Sequence, residues 1–424
     1  MDALNTSTLL DVSELLSTIS ANILLDLPVF CEDTTEPYFR APASFLPIRE
    51  RREETLQNSV PLLQLPGITI KEILKNFHRA EDAVSLGRSC RQLHNVVFGQ
   101  DGEAYWNSQL EDIKPSPSVL KNASKPSETY RKCALMRKHW RQSLYSEHTS
   151  DGHMSLVKCI EYDGSRGTLV TGSSDKKVKV WKVDGSNLVL GKTIPGQNCG
   201  VVGLDLNGDD LRIGYKNGVI KHTNILNGTT KEFTTGTVVT GFSFCGSCIV
   251  SYERSVILFD SEKGTNIGEY NLHRRPVSYA KMYNTQMGTS ASFDKSVDFW
   301  DTRKLNAAAI RLKGHRAGVN HFDFCDNTII TASNDKMLMV WDIRKPEVPF
   351  KTIQNHTAEV IFVKHLYDKV VASSKDMTMS LFDTKDFSLI NTINTRSVVS
   401  SFTYDDQYLF CGCSSGEILL YDFI

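Results

Sequence analysis

The sequence predicts a mainly β protein: a ring of seven four-stranded blades preceded by a small α-helical domain. Three observations predict it. A pattern recurs about every 40 residues through the C-terminal part. Each copy alternates apolar residues and ends on an aromatic. Ahead of the copies, apolar residues switch to helical spacing.

The repeat is clearest at 334–342, NDKMLMVWD, and at 293–301, FDKSVDFWD. Aligned on the closing aromatic, the copies end at Trp181, Thr223 (a weak copy), Phe259, Trp300, Trp341, Phe382 and Tyr421. The successive gaps are about 42, 36, 41, 41, 41 and 39 residues, matching the 40–45-residue period of propeller blades. Asp or Asn follows the aromatic in six copies: Asn224, Asp260, Asp301, Asp342, Asp383 and Asp422. A head of Gly152-His153, Gly314-His315 or Asn355-His356 stands about 26 to 28 residues ahead of its aromatic, and His273 heads the fourth copy.

These features resemble the WD-repeat family over roughly residues 140–424. The resemblance implies a buried hydrogen-bonded set in each regular blade. One set is His315, Thr331 or Ser333, Asp335 and Trp341. Another is His153, Thr171 or Ser173, Asp175 and Trp181. A Ser/His/Asp triad is the enzymatic reading of the same residues. A constellation repeated in several blades is architecture, whereas a catalytic site occurs once. The second and third copies lack the His and the Trp, so those blades are expected to be less regular.

A WD unit supplies the outer strand of one blade and three inner strands of the next. The last blade then needs a strand from upstream, or its edge stays open. The run 140–145, WRQSLY, is expected to close the ring beside 416–422.

Composition fits this reading. The chain has 424 residues, with 48 Lys and Arg against 49 Asp and Glu, a net charge of −1. Such a balance gives no global attraction to nucleic acid or anionic membrane. No apolar run reaches the roughly 18 residues of a membrane helix. The start, MDALNTSTLL, lacks the basic opening of a signal peptide. The expected location is cytoplasmic, with the nucleus also open. The ten cysteines show no disulfide-module spacing and are expected to be free thiols. The lone pair Cys245 and Cys248 reads as a strand turn, since zinc needs four ligands. No metal, no cofactor and no catalytic residue is expected.

Upstream, Ile70, Ile73, Leu74 and Phe77 form one helical stripe behind Pro66. Ala83, Leu86, Cys90, Leu93 and Val97 form a second, with HRAED as the turn between them. The order Leu-Pro, Ile-Leu, acidic turn, Cys-Arg and a later Trp106 resembles an F-box. The basic helix YRKCALMRKHWRQ resembles the lead-in of F-box/WD-repeat proteins.

The expected organisation is an extension at 1–60 with an amphipathic helix over 9–27, an F-box-like domain at 61–110, a linker with a basic helix at 111–139, and the propeller at 140–424. The family resemblance implies docking on a Skp-type adaptor, and through it on a cullin–RING ubiquitin ligase. Leu65, Pro66, Ile70, Ile73, Leu74, Leu86 and Cys90 would touch the adaptor or form the core beneath that contact. The propeller would hold a substrate protein, with no nucleic acid or membrane involved. The chain itself would do no chemistry and would act by proximity. The alternative is a non-degradative scaffold that binds the adaptor without an active ligase.

Two registers of each blade should face the channel mouth. One gives Lys158, Val202, Thr240, Ser278, Asn320, Ile361 and Ser400. The other gives Ser174, Lys216, Tyr252, Phe293, Asn334, Lys375 and Ser414. Lys158, Lys216, Tyr252, Phe293, Asn334 and Lys375 are the candidate substrate contacts. With no arginine among them, an apolar-anchored peptide fits better than a phosphate. Arg274, Arg275 and Arg316 occupy neighbouring loops, where solvation is their expected role.

Overall fold

The computed structural model describes Leu74, 83–84, 97–99, 102–121, 125–245, 247–260, 263–304, 308–325, 327–366 and 368–424. Two compact units divide the chain, 1–109 and 110–424.

The described strands form seven four-stranded antiparallel sheets. Six are contiguous: blade 1 at 157–195, blade 2 at 201–234, blade 3 at 241–271, blade 4 at 277–313, blade 5 at 319–353 and blade 6 at 360–394. The remaining sheet, blade 7, is composite. It joins Val399–Tyr404, Tyr408–Cys413 and Ile418–Asp422 to Ser146–Ser150 from the other end of the ring. The first strand of each blade touches the first strands of its neighbours, so these seven strands surround a channel.

The sequence reading of seven repeat units behind a small helical F-box is corrected here. The sheets comprise six self-contained blades and one shared sheet, not seven like units. The helical residues immediately upstream belong to the propeller's own compact unit. The expected F-box falls almost wholly outside the described residues. Of its candidate contacts, Leu65, Pro66, Ile70, Ile73, Leu86 and Cys90 are outside, and only Leu74 is described, as a buried helical residue. In the same unit Trp106 is buried and donates from Nε1 to the Val97 carbonyl at 2.7 Å.

The closing strand also differs. Ser146–Ser150 pairs with Ile418–Asp422, with Ser146 opposite Asp422 and Ser150 opposite Ile418. Residues 140–145 end a helix and turn into that strand. The reason lies in side-chain chemistry. Trp140 and Tyr145 bury more area as packing against the last strand than they would on an exposed outer strand. Trp140 stacks on Phe423 with centroids 3.7 Å apart, and its Nε1 donates to the Asp406 carbonyl at 2.7 Å. Tyr145 meets Tyr421 edge-on.

Three helices precede the ring: α1 (Glu103–Ile113), α2 (Pro117–Lys121) and α3 (Pro126–Gln142). Pro126 opens α3, where its missing N–H costs nothing, and Ser143 ends it in the left-handed conformation. Val119 of α2 packs with Cys133 and Met136 of α3. Ser116, Ser118 and Trp140 carry these helices onto blade 7 as a brace.

Blades 2 and 3 form complete sheets without the polar set. Phe242 of blade 3 lies over two backbone glycines of blade 2. A Cβ on Gly214 would sit 2.0 Å from the Phe242 ring, and one on Gly203 would sit 2.6 Å from its Cβ. Size complementarity replaces hydrogen bonding there.

Candidate protein-interaction site

The buried polar sets come first, because they fix the loops that frame the channel. In blade 1, burial pulls His153 below its usual pKa, so its ring is neutral. Its Nδ1 lies 2.9 Å from Asp175 and its Nε2 lies 2.9 Å from Thr171 Oγ1, which also accepts from Trp181 Nε1 at 3.0 Å. Nδ1–H donating to the carboxylate and the Thr hydroxyl donating to Nε2 satisfies every group. Blade 5 repeats this with His315, Asp335, Thr331 and Trp341 at 2.8, 2.7 and 3.1 Å. Ser173 and Ser333 instead accept from the Asp175 and Asp335 N–H of their own turns and donate to the Ser155 and Gly318 carbonyls of the head loops. In blade 4, His273 pairs with Asp294 and Ser290. Thr171, Ser290 and Thr331 are fully buried, so these hydroxyls hold structure and meet no substrate.

Each turn Asp also accepts from the backbone N–H after the head His: Met154, Arg274, Arg316 and Thr357 in blades 1, 4, 5 and 6. Burial alone would raise Asp335. The His315 and backbone bonds overcome that and hold it down at about 2. These four loops are thereby clamped to their turns. Arg274, Arg275 and Arg316 are exposed on them, with no ion pair among the described residues.

The mouth itself rests on a backbone irregularity. In six of the first strands the pairing skips one residue. It shifts between Val157 and Cys159, Val201 and Gly203, Val277 and Tyr279, Val319 and His321, Val360 and Phe362, and Val399 and Ser401. The skipped residues are Lys158, Val202, Ser278, Asn320, Ile361 and Ser400. A bulge leaves its residue unpaired and re-aims its side chain. These six and Thr240 line one cavity of about 550 Å3, together with Phe293, Asn334 and Lys375.

These seven rim residues divide into two groups. Thr240, Ser278, Asn320 and Ser400 each bond the backbone of the next blade: Val277 O at 3.1 Å, Val319 O at 2.6 Å, Val360 O at 2.7 Å and Val157 O at 2.6 Å. They are inter-blade staples. Lys158, Val202 and Ile361 carry side chains that no such bond engages, and Lys158 is exposed.

The sequence candidates separate accordingly. Lys158, Phe293, Asn334 and Lys375 share the cavity, whereas Lys216 is exposed but is not among its lining residues. Tyr252 ends a blade 3 strand, and its side chain lies outside the described residues. Asn334 is held by Asn320 at 2.6 Å, and Lys375 pairs with Glu359. Phe293 is 38% exposed and lies on Gly318, where an added Cβ would come within 2.6 Å of its ring. The glycine seats the ring on backbone and leaves its other side to solvent.

Sequence reasoning missed the layer below the mouth. Three residues after each rim position stand Glu161, Asp205, Ser243, Lys281, Asp323, Lys364 and Thr403. Lys281 bonds Asp323 at 2.7 Å, and Lys364 lies 3.7 Å from Glu161. His321 stacks between Tyr279 and Phe362 at 3.9 and 3.8 Å, and burial pushes its pKa down to about 3. The recurring three-residue offset was the available signal. Apart from Thr403, this layer lines the same cavity as the rim, with Lys281 and Lys364 each engaged by a carboxylate. No group of metal-ligating side chains occurs among the described residues.

Comparison with known proteins agrees with this geometry. Residues 144–182 and 308–342 match the family described as "WD domain, G-beta repeat". The first spans the strand that closes blade 7 and the first three strands of blade 1; the second spans the last strand of blade 4 and the first three strands of blade 5. The chain is 27% identical, over 72% of its length, to an "F-box/WD repeat-containing protein A-like protein" of Dictyostelium discoideum, covering 27% of that protein. It is 25% identical, over 31% of its length, to "Mitogen-activated protein kinase kinase kinase A" of the same organism, covering 13% of it. The chain thus spans about a quarter or less of these relatives. Among solved structures, the WD40 β-propeller domain of Doa1 matches with a TM-score of 0.59 at 18% identity, over 66% of this chain and 96% of that one. Two stretches of the chain thus match the WD-repeat family, and its fold is that of a WD40 β-propeller.

Proposed function

We propose that this chain is the substrate-recognition subunit of a Skp–cullin–F-box ubiquitin ligase. In this reading residues 61–110 dock the Skp-type adaptor and the channel mouth holds the substrate protein. One observation carries the proposal. The F-box/WD relative aligns over 72% of the chain, somewhat more than the propeller occupies, and its name couples an F-box to WD repeats. The chain would be non-catalytic and would work in the cytoplasm or nucleus by holding substrate lysines near a charged conjugating enzyme. The mouth supports the substrate role with an exposed aromatic anchor, Phe293, beside the unengaged Lys158, Val202 and Ile361. A scaffold without ligase activity is the second reading. It is favoured by the likeness to a differently named protein over a segment shorter than the propeller.

The test is affinity purification of the full chain and two variants. Leu65→Ala with Pro66→Ala should lower adaptor binding by about 2 kcal/mol, the scale of an interface hot spot. Phe293→Ala should lose substrate by a similar amount and keep the adaptor, whereas Lys158→Ala should cost about 0–1 kcal/mol. Adaptor recovered without cullin or RING subunits selects the scaffold. No adaptor at all overturns both readings.

A further inference from the structure

The base of the propeller carries a buried contact that substrate recognition does not use. The segment 114–118 reads Lys-Pro-Ser-Pro-Ser and leads into α2. Ser116 is fully buried and Ser118 nearly so. The Ser116 N–H donates to Asp406 Oδ2 at 2.6 Å, the Ser118 hydroxyl donates to Asp405 Oδ2, and the two hydroxyl oxygens lie 3.0 Å apart. Asp405 and Asp406 sit in the turn between two strands of blade 7, and both are buried. Two adjacent serines thus rest on two adjacent buried carboxylates.

The surrounding charge is already negative. Lys369 lies 2.7 Å from Asp368 and 3.9 Å from Asp406, and Arg137 lies 3.2 Å from Asp368. Three carboxylates therefore face two cations, and the cations are engaged. Burial, with Asp406 alongside, raises the Asp405 carboxyl to about 6 against the pull of its hydrogen bonds. A further phosphate charge of about −1.5 to −2 would add to three carboxylates whose two paired cations are already engaged.

We propose that 114–118 is a phosphorylation-controlled latch on the base of the propeller, with Ser116 as the acceptor of a proline-directed, ATP-dependent protein kinase. In the transfer the Ser116 Oγ–P bond forms and the bond from Pγ to the β–γ bridging oxygen breaks. ADP leaves, and the hydroxyl proton passes to the kinase's base. Pro117 supplies the residue such a kinase reads, and it holds Ser116 in an extended conformation once undocked. The latch is short: α2 has five residues, and the dock rests on a few hydrogen bonds. Local opening exposes Ser116, and the added charge then prevents reclosure on Asp405 and Asp406. Trp140 and α3 keep their own contacts with the ring, so the opening is confined to the segment that enters the brace.

The experiment installs phosphoserine at position 116 of the full chain and follows hydrogen exchange at the amides of Ser116, Val119 and Leu120, which bond Asp406 and the Ser116 carbonyl. Exchange should accelerate at least tenfold over the unmodified chain. The acceleration should shrink in an Asp405→Asn, Asp406→Asn background, while Ser116→Ala should retain protection. Unmodified chain with kinase and ATP should gain phosphate at Ser116, and Pro117→Ala should lose it. Full protection in the phosphoserine protein overturns the proposal, as does equal opening by Ser116→Ala or failure of the folded chain to accept phosphate.

Discussion

Blade 5 and blade 7 have the same four-stranded shape and are held by different means. Blade 5 is locked by a polar set whose members are close in sequence. His315 reaches Asp335 across 20 residues and Thr331 across 16, and Trp341 reaches Thr331 across 10. Blade 7 has no such set. Its three C-terminal strands are almost wholly buried, with Phe402, Leu409, Phe410, Cys411, Leu419 and Tyr421 at 0% exposure. Its last partners come from far away: Ser146–Ser150 in the sheet, and Trp140, 266 residues from the Asp406 carbonyl it bonds. A blade can thus be made regular by local hydrogen bonds or by long-range burial, and a ring needs one of the second kind to close.

The largest expected effect tests that closure. A 152–424 fragment lacks the closing strand and exposes the edge of Ile418–Asp422. It should aggregate and show no cooperative melt. A 144–424 fragment keeps the strand and should remain folded, though less stable for want of Trp140. Size-exclusion chromatography with thermal unfolding distinguishes them, and a well-behaved 152–424 monomer would remove the distinction between the blades.

Next come the two tryptophans. Trp140→Ala and Trp341→Ala should each cost about 3–5 kcal/mol in urea unfolding. Only Trp140 should couple to Phe423, with an interaction of about 0.5–1.5 kcal/mol in a double-mutant cycle. Additivity between Trp140 and Phe423 would mean that their 3.7 Å stack contributes area alone.

Thr331→Val is a smaller change that speaks to blade 5. It leaves His315 Nε2 and Trp341 Nε1 buried without their shared partner, a loss of about 1–3 kcal/mol. A neutral result would show that the polar set serves loop geometry and not stability.

The smallest effect is in pH dependence, and its sign differs between the blades. Asp335 has its folded pKa lowered to about 2, against about 3.9 unfolded. Its contribution is present above about pH 4 and is lost as pH falls toward 2. Asp405 is raised to about 6, so its contribution is present below about pH 4 and is lost as pH rises through 6. Asp335→Asn should therefore flatten the stability profile between about pH 2 and 4. Asp405→Asn should flatten it between about pH 4 and 6. Guanidinium unfolding across pH checks both, and a profile unchanged by either variant removes that carboxylate from the account.

What the sequence by itself determined is whatever repeats or lies close along the chain. The 40-residue period gave the blades, and the His, Thr, Asp and Trp spacing gave the polar sets. The channel-mouth register placed Lys158, Phe293, Asn334 and Lys375 on one cavity. Tertiary structure alone decided the rest. Which upstream residues closed the ring depended on whether Trp140 gained more from a strand position or from the apolar end of blade 7, a comparison of burial that no local pattern contains. Which mouth residues were staples depended on the neighbouring blade's carbonyls, as for Ser278 and Asn320. The Ser116 and Ser118 dock joined residues almost 300 positions apart. Local spacing fixes hydrogen-bond partners within one or two strands. Contacts across the ring are chosen by the area and charge that remain once every blade has formed.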